Sequence, residues 1–139
     1  MSLQTILLPV FAEIALTFGL LVWLAILRTR ALDKHEVYAG DIALGQKNWP
    51  ERILKIGNSF QNQLELPMLF YVLAILAIIA HKADLLFVVL SWLFVASRFA
   101  HAFVHTGANV VRLRGPIYGI GLILIIVMWI IFAVRVLAS

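Results

Sequence analysis

Cysteine is absent from the 139 residues, which excludes disulfides, thiolate metal sites and a cysteine nucleophile. Charge is scarce too: Asp, Glu, Lys and Arg make up 13% of the chain, about half of the ~25% usual in soluble domains. The first thirteen residues, MSLQTILLPVFAE, lack a basic stretch, and Glu13 interrupts their apolar run. A cleaved signal peptide is therefore not expected. No internal repeat or low-complexity tract divides the chain, so residues 1–139 read as a single domain. What is abundant is apolar: 63% of the residues are hydrophobic. That excess marks an integral membrane protein, whose net charge of +4 belongs to its loops. Nucleic acid is not an expected partner; membrane lipid is.

Four apolar segments account for nearly everything, and the fold class is an all-α bundle of four transmembrane helices. The first span covers about residues 6–27, enough to cross ~30 Å of hydrocarbon at about 1.5 Å per residue. The second covers 50–80, amphipathic at first and then apolar. The third covers 85–105. The fourth covers 116–137 and opens on Pro116, a residue type favoured in a first helical turn. The loop of residues 28–49 is the long one. The link His81-Lys82-Ala83-Asp84 is so short that the helices it joins must be antiparallel neighbours.

Basic residues set the expected orientation. Arg28, Arg30, Lys34, Lys47, Arg52, Lys55, Arg112 and Arg114 flank the first and third loops, against Lys82 and Arg135 on the opposite side. Eight against two places those loops in the cytoplasm and both termini outside it.

Two polar ladders interrupt the apolar pattern. Asn58, Asn62 and Glu65 precede the run 66–80, and Arg98, His101 and His105 follow the run 85–96. At about 100° per residue, each trio shares one helix face. Ionisable groups in a bilayer cost on the order of 2.5–3.5 kcal/mol each, so they normally face protein or water. Counted from a turn centred at about residue 82, the members pair by depth: Glu65 with Arg98, Asn62 with His101, Asn58 with His105. The expectation is a Glu65–Arg98 salt bridge flooring a pocket in the cytoplasmic leaflet, lined by Asn58, Gln61, Asn62, His101 and His105. The plainer reading is that these groups are interhelical hydrogen-bond glue, worth about 0.6 kcal/mol each. His101 and His105 could share a metal by their i, i+4 spacing, but no third ligand is apparent and no metal site is expected. Glu13 stands alone, with no partner assigned.

At these residues the chain resembles the MAPEG superfamily, the membrane-associated proteins of eicosanoid and glutathione metabolism. Asn62-Gln63-Leu64-Glu65-Leu66-Pro67 is similar to the family's Asn-x-x-Glu followed by proline. Arg98-Phe99-Ala100-His101 is similar to its Arg-x-x-His, and Arg114-Gly115-Pro116 to its basic-x-Pro element. The resemblance implies a divergent, bacterial-type member in the inner membrane, forming homotrimers with glutathione between subunits. It implies that Arg28, Asn62, Glu65, Arg98, His101 and Arg114 bind glutathione or support its site, and that Tyr118, with Arg98, stabilises the thiolate. Catalytic members carry arginine where this chain has Gln61, and tyrosine where it has His105. With one expected cation missing, the resemblance points to a non-catalytic member that binds lipid or docks on a larger membrane complex. The alternative is a glutathione-dependent transferase or peroxidase acting on a lipophilic substrate.

Overall fold

The computed structural model describes residues 2–108 and 111–139, and every regular element among them is helical. Helix α1 spans Leu3–Asp33, capped where the Ser2 hydroxyl accepts from Thr5 N at 3.2 Å. It ends in a left-handed turn, with His35 at φ 57° and Glu36 N donating to Ala31 O at 2.9 Å. A short helix α2, Ala39–Ile42, sits in the long loop. Then follow α3 (Glu51–Asn62), α4 (Leu66–Ile79), α5 (Leu85–Thr106) and α6 (Val111–Leu137). Four helical stretches are long and apolar enough to cross a membrane, with α3 and α4 together forming one of them.

The second stretch is not the continuous helix that its sequence suggests. Pro67 has no N–H to give the carbonyl four residues back, and its ring crowds that carbonyl. The backbone answers with i→i−3 hydrogen bonds: Gln63 N to Phe60 O at 2.9 Å, Leu64 N to Gln61 O at 3.0 Å and Glu65 N to Asn62 O at 3.2 Å. The helix restarts at Leu66, leaving Glu65 in its N-cap position. This break falls on the polar motif itself.

Two further boundaries shift. Helix α1 reaches Asp33, a turn and a half beyond the expected span, because charged residues there lie outside the apolar zone but still favour helix. Helix α6 begins at Val111, so Pro116 lies inside its early turns rather than opening it. Only one helical hydrogen bond is lost there, and the first turn has orphan N–H groups in any case.

The core gathers where α4, α5 and α6 meet: Phe70, Leu73, Ala74 and Ala77 pack against Phe87, Val88, Phe94, Val95, Ile125 and Met128. The Phe70 and Phe94 rings lie 5.1 Å apart. A second cluster joins α1 to α3 through Leu24, Ala31, Ile53 and Ile56. The apolar residues facing outward, among them Phe11, Phe18, Ile75, Ile123 and Val134, are exposed. On a helix of this composition they form the surface that meets lipid or a neighbouring protein. At the end carrying the long loop, Arg28 stacks on Trp49 and Arg52 on Trp23, with guanidinium carbons 5.0 and 5.8 Å from the ring centroids. Tryptophans stacked under guanidinium groups at the end of a span suit a membrane interface, where an aromatic body and a charged tip are both accommodated.

Candidate functional site

The break between α3 and α4 opens one wall of a cleft of about 330 Å³, lined by Asn58, Asn62, Glu65, His101, His105, Arg114, Gly115 and Tyr118. Seven residues singled out in the sequence thus converge, from α3, the break, α5 and α6. The depth count pairs one rung of the ladders in direct contact and brings the members of a second to the same cleft. Asn62 Nδ2 donates to His101 Nδ1 at 2.7 Å, which leaves the ring's proton on Nε2. Asn58 and His105 line the same cleft. The His101 ring also packs on His105 at 5.3 Å and on Tyr118 at 5.5 Å between centroids. His105 Nδ1 is buried and has no hydrogen-bond partner among the described residues, a group that a ligand or solvent molecule could satisfy.

The third rung is a correction. No ion pair within 4 Å joins Glu65 to Arg98; the bridges among the described residues are Lys55–Glu51 and Arg135–Asp84. Glu65 lies in the unwound segment and is exposed towards the cleft, whereas Arg98 is 0% exposed. The Arg98 guanidinium points to α6: Nη2 lies 3.4 Å from Ile117 O and 3.5 Å from Tyr118 O, and Cζ sits 5.1 Å from the Tyr118 ring centroid. Tyr118 therefore stands between Arg98 and the cleft. The depth count could not anticipate this, because depth alone does not say to which side of α5 a side chain turns.

Gly121 makes the burial of Arg98 possible. A Cβ there would overlap the guanidinium, 2.7 Å from Cζ and 2.9 Å from Nε. Nothing in the sequence marks this glycine as different from its neighbours, since its need arises only from a side chain on another helix. The charge nearest in influence to Arg98 is Glu13 on α1, also 0% exposed. Arg98 is thus the cation that acts on Glu13 across the bundle, without a direct contact.

Arg28 and Gln61 do not line the cleft. They belong to an adjoining cavity of about 510 Å³, together with Lys47 and Trp49. Asn58 lines both cavities. Among the described residues, no group of three His, Asp or Glu side chains is placed to hold a metal ion.

Glutathione carries one ammonium group, two carboxylates and a thiol. The cleft has Glu65 on the side of the ammonium and Arg114 for one carboxylate, with the Tyr118 hydroxyl for a thiolate. The other carboxylate finds no second arginine in the cleft, because Arg98 is turned away. It would have to cross Asn58 to reach Arg28 or Lys47 in the adjoining cavity. A family model, that of the MAPEG family, matches residues 6–134. No curated protein and no solved structure matches the chain.

Proposed function

Because the chain belongs to the MAPEG family, we infer that the cleft is its ligand site and that it serves as a non-catalytic binding site for an amphiphile with a zwitterionic headgroup. One observation carries this reading: the cleft combines one carboxylate, Glu65, with one guanidinium, Arg114, among amides and imidazoles. A phosphoethanolamine headgroup is complementary to that set, its ammonium towards Glu65 and its phosphate towards Arg114. Exposed apolar residues on the neighbouring helix faces, such as Met68, Leu69 and Phe103, suit the acyl chains. The proposal keeps the homotrimer that the family implies, in a bacterial inner membrane with both termini on the non-cytoplasmic side.

The test is retention of lipid by purified protein, read by native mass spectrometry after extraction from bilayers of mixed phosphatidylethanolamine and phosphatidylglycerol. Stoichiometric phosphatidylethanolamine is expected. Glu65→Gln should lower its preference on the order of tenfold, the worth of one charge-assisted hydrogen bond. If no stoichiometric lipid survives, or Glu65→Gln leaves the preference intact, the reading is wrong.

The placement of Tyr118 in the same cleft favours a second reading, a glutathione-dependent transferase or peroxidase acting on a lipophilic electrophile. Asn62, Glu65, Arg114 and, across Asn58, Arg28 would hold the peptide, and the Tyr118 hydroxyl would donate to its thiolate. Glutathione titrated at millimolar concentration in a calorimeter separates the two: heat of binding abolished by Tyr118→Phe and Arg114→Gln supports the enzyme, and absence of binding removes it.

A further inference from the structure

The bundle contains a second polar site, walled off from the cleft. Glu13 and Arg98 are both fully buried, and each acts electrostatically on the other. Their positions agree with independent counting. The start of α1 lies beside the α4–α5 turn, since Leu3 and Ile6 share a cavity with Ala77 and His81. Glu13 is ten residues from Leu3 and Arg98 thirteen from Leu85, or about 15 and 20 Å from that end at 1.5 Å per residue. A long arginine side chain on a helix leans towards the helix N-terminus, which for α5 is the direction of Glu13.

Yet the two groups do not touch. No ion pair within 4 Å joins them, and Glu13 Oε1, Glu13 Oε2 and Arg98 Nη1 all lack a hydrogen-bond partner among the described residues. The Tyr71 hydroxyl on α4 is buried without a partner as well; it lies close to Thr17 and within the influence of Glu13. Four buried polar atoms on three helices thus lack a partner, within one another's electrostatic influence. Buried polar atoms are almost always satisfied, and in low dielectric the cost of leaving a carboxylate and a guanidinium bare is large.

The chemistry of these groups selects what could bridge them. The Glu13 carboxyl disfavours an anion and the Arg98 guanidinium a cation. A neutral molecule that both donates and accepts fits both groups, and water does so with two to four hydrogen bonds. We propose that Glu13, Tyr71 and Arg98 enclose a bound-water site in the middle of the bundle, through which the α1 carboxylate and the α5 guanidinium are bridged. Gly121 keeps the guanidinium in place by leaving room for it, and the Tyr118 ring separates the site from the cleft.

Water-edited solid-state NMR on the full chain in lipid bilayers, with glutamate and arginine carbons labelled, tests this directly. Magnetisation from water should reach the Glu13 carboxyl and the Arg98 guanidinium carbons as early as it reaches the exposed Glu36 and Glu51. The buried Phe70 and Phe94 rings should stay dark. The chain has four glutamates, so the Glu13 signal is assigned by Glu13→Gln. Where that variant does not fold, substituting the exposed Glu36, Glu51 and Glu65 one at a time assigns Glu13 by elimination. Early transfer to both carbons is the expected result. Transfer to Glu13 no faster than to Phe70 overturns the proposal and makes the pair a dry one.

Discussion

Arg98 and His101 are one helical turn apart on α5, yet they serve opposite kinds of polar environment. His101 looks into a cleft at the loop end of the bundle, where Asn62 holds it at 2.7 Å and charges of both signs face an open volume. Arg98 looks the other way, into a closed interior where its counter-charge comes from α1 and its space from Gly121 on α6. The cleft tolerates charge because its groups stay in reach of solvent or ligand. The interior tolerates charge only because two opposite charges are buried together, since either alone would carry a desolvation penalty of several kcal/mol. A polar residue in a membrane helix therefore says little about function until its side is known: the same helix presents one group to a ligand and commits the other to holding the bundle.

The contrast is broken most sharply by removing one charge from each site. Arg98→Leu should destabilise the detergent-solubilised protein by about 3–5 kcal/mol, because it leaves Glu13 buried and uncompensated. Glu65→Gln, at an exposed position, should shift stability by no more than about 0.5 kcal/mol. Equal losses in denaturant unfolding would mean that the two sites do not differ as described. Gly121→Ala is a gentler probe of the same interior. Its Cβ would force the guanidinium aside, and overpacking of this kind costs about 1–3 kcal/mol; a neutral result would show that Arg98 has another place to go.

The smallest effect comes from an exposed charge pair that ties the link before α5 to the last turn of α6. Asp84 caps α5 by accepting from Phe87 N at 3.0 Å and pairs with Arg135 at 2.8 Å. The hydrogen bond from Arg135 is the main cause holding its carboxyl below the usual aspartate range. A carboxylate with a lowered folded-state pKa contributes stability above about pH 4, the unfolded value, and loses it as the pH falls through the folded one. Half of the Asp84 side chain is exposed, so solvent screening limits the effect to a few tenths of a kcal/mol. Unfolding measured at neutral and acid pH should show that dependence in the parent protein and lose it in Asp84→Asn. A dependence as large as the Arg98→Leu effect would erase the distinction between exposed and buried pairs.

Four spans, the antiparallel hairpin and the convergence of Asn62 with His101 were legible in the sequence because they rest on local rules. Apolar length sets a span, a four-residue link sets a hairpin, and counting from that link sets depth. Counting also brought Asn58, Glu65 and His105 to one cleft, but it placed Gln61 there as well, which lines the adjoining cavity instead; Arg114 and Tyr118 were expected at the site only from the family resemblance. The expected Glu65–Arg98 bridge failed. It assumed a continuous second span, whereas Pro67 unwinds residues 63–65 and turns Glu65 outward. Pro67 was visible in the sequence, and its local consequence is a signal that could have warned against the bridge.

The sequence by itself determined that the chain is helical and membrane-embedded, and how far along its helix each polar group lies, because hydrophobic length and helical rise act along one dimension. Only the tertiary structure decided which way each group turns. Rotation about a helix axis is set by what the neighbouring helices offer, here a carboxylate from α1 and a glycine notch from α6. Neither partner is near Arg98 in the chain, so its burial, the pairing with Glu13 and the division between cleft and interior come from packing in three dimensions.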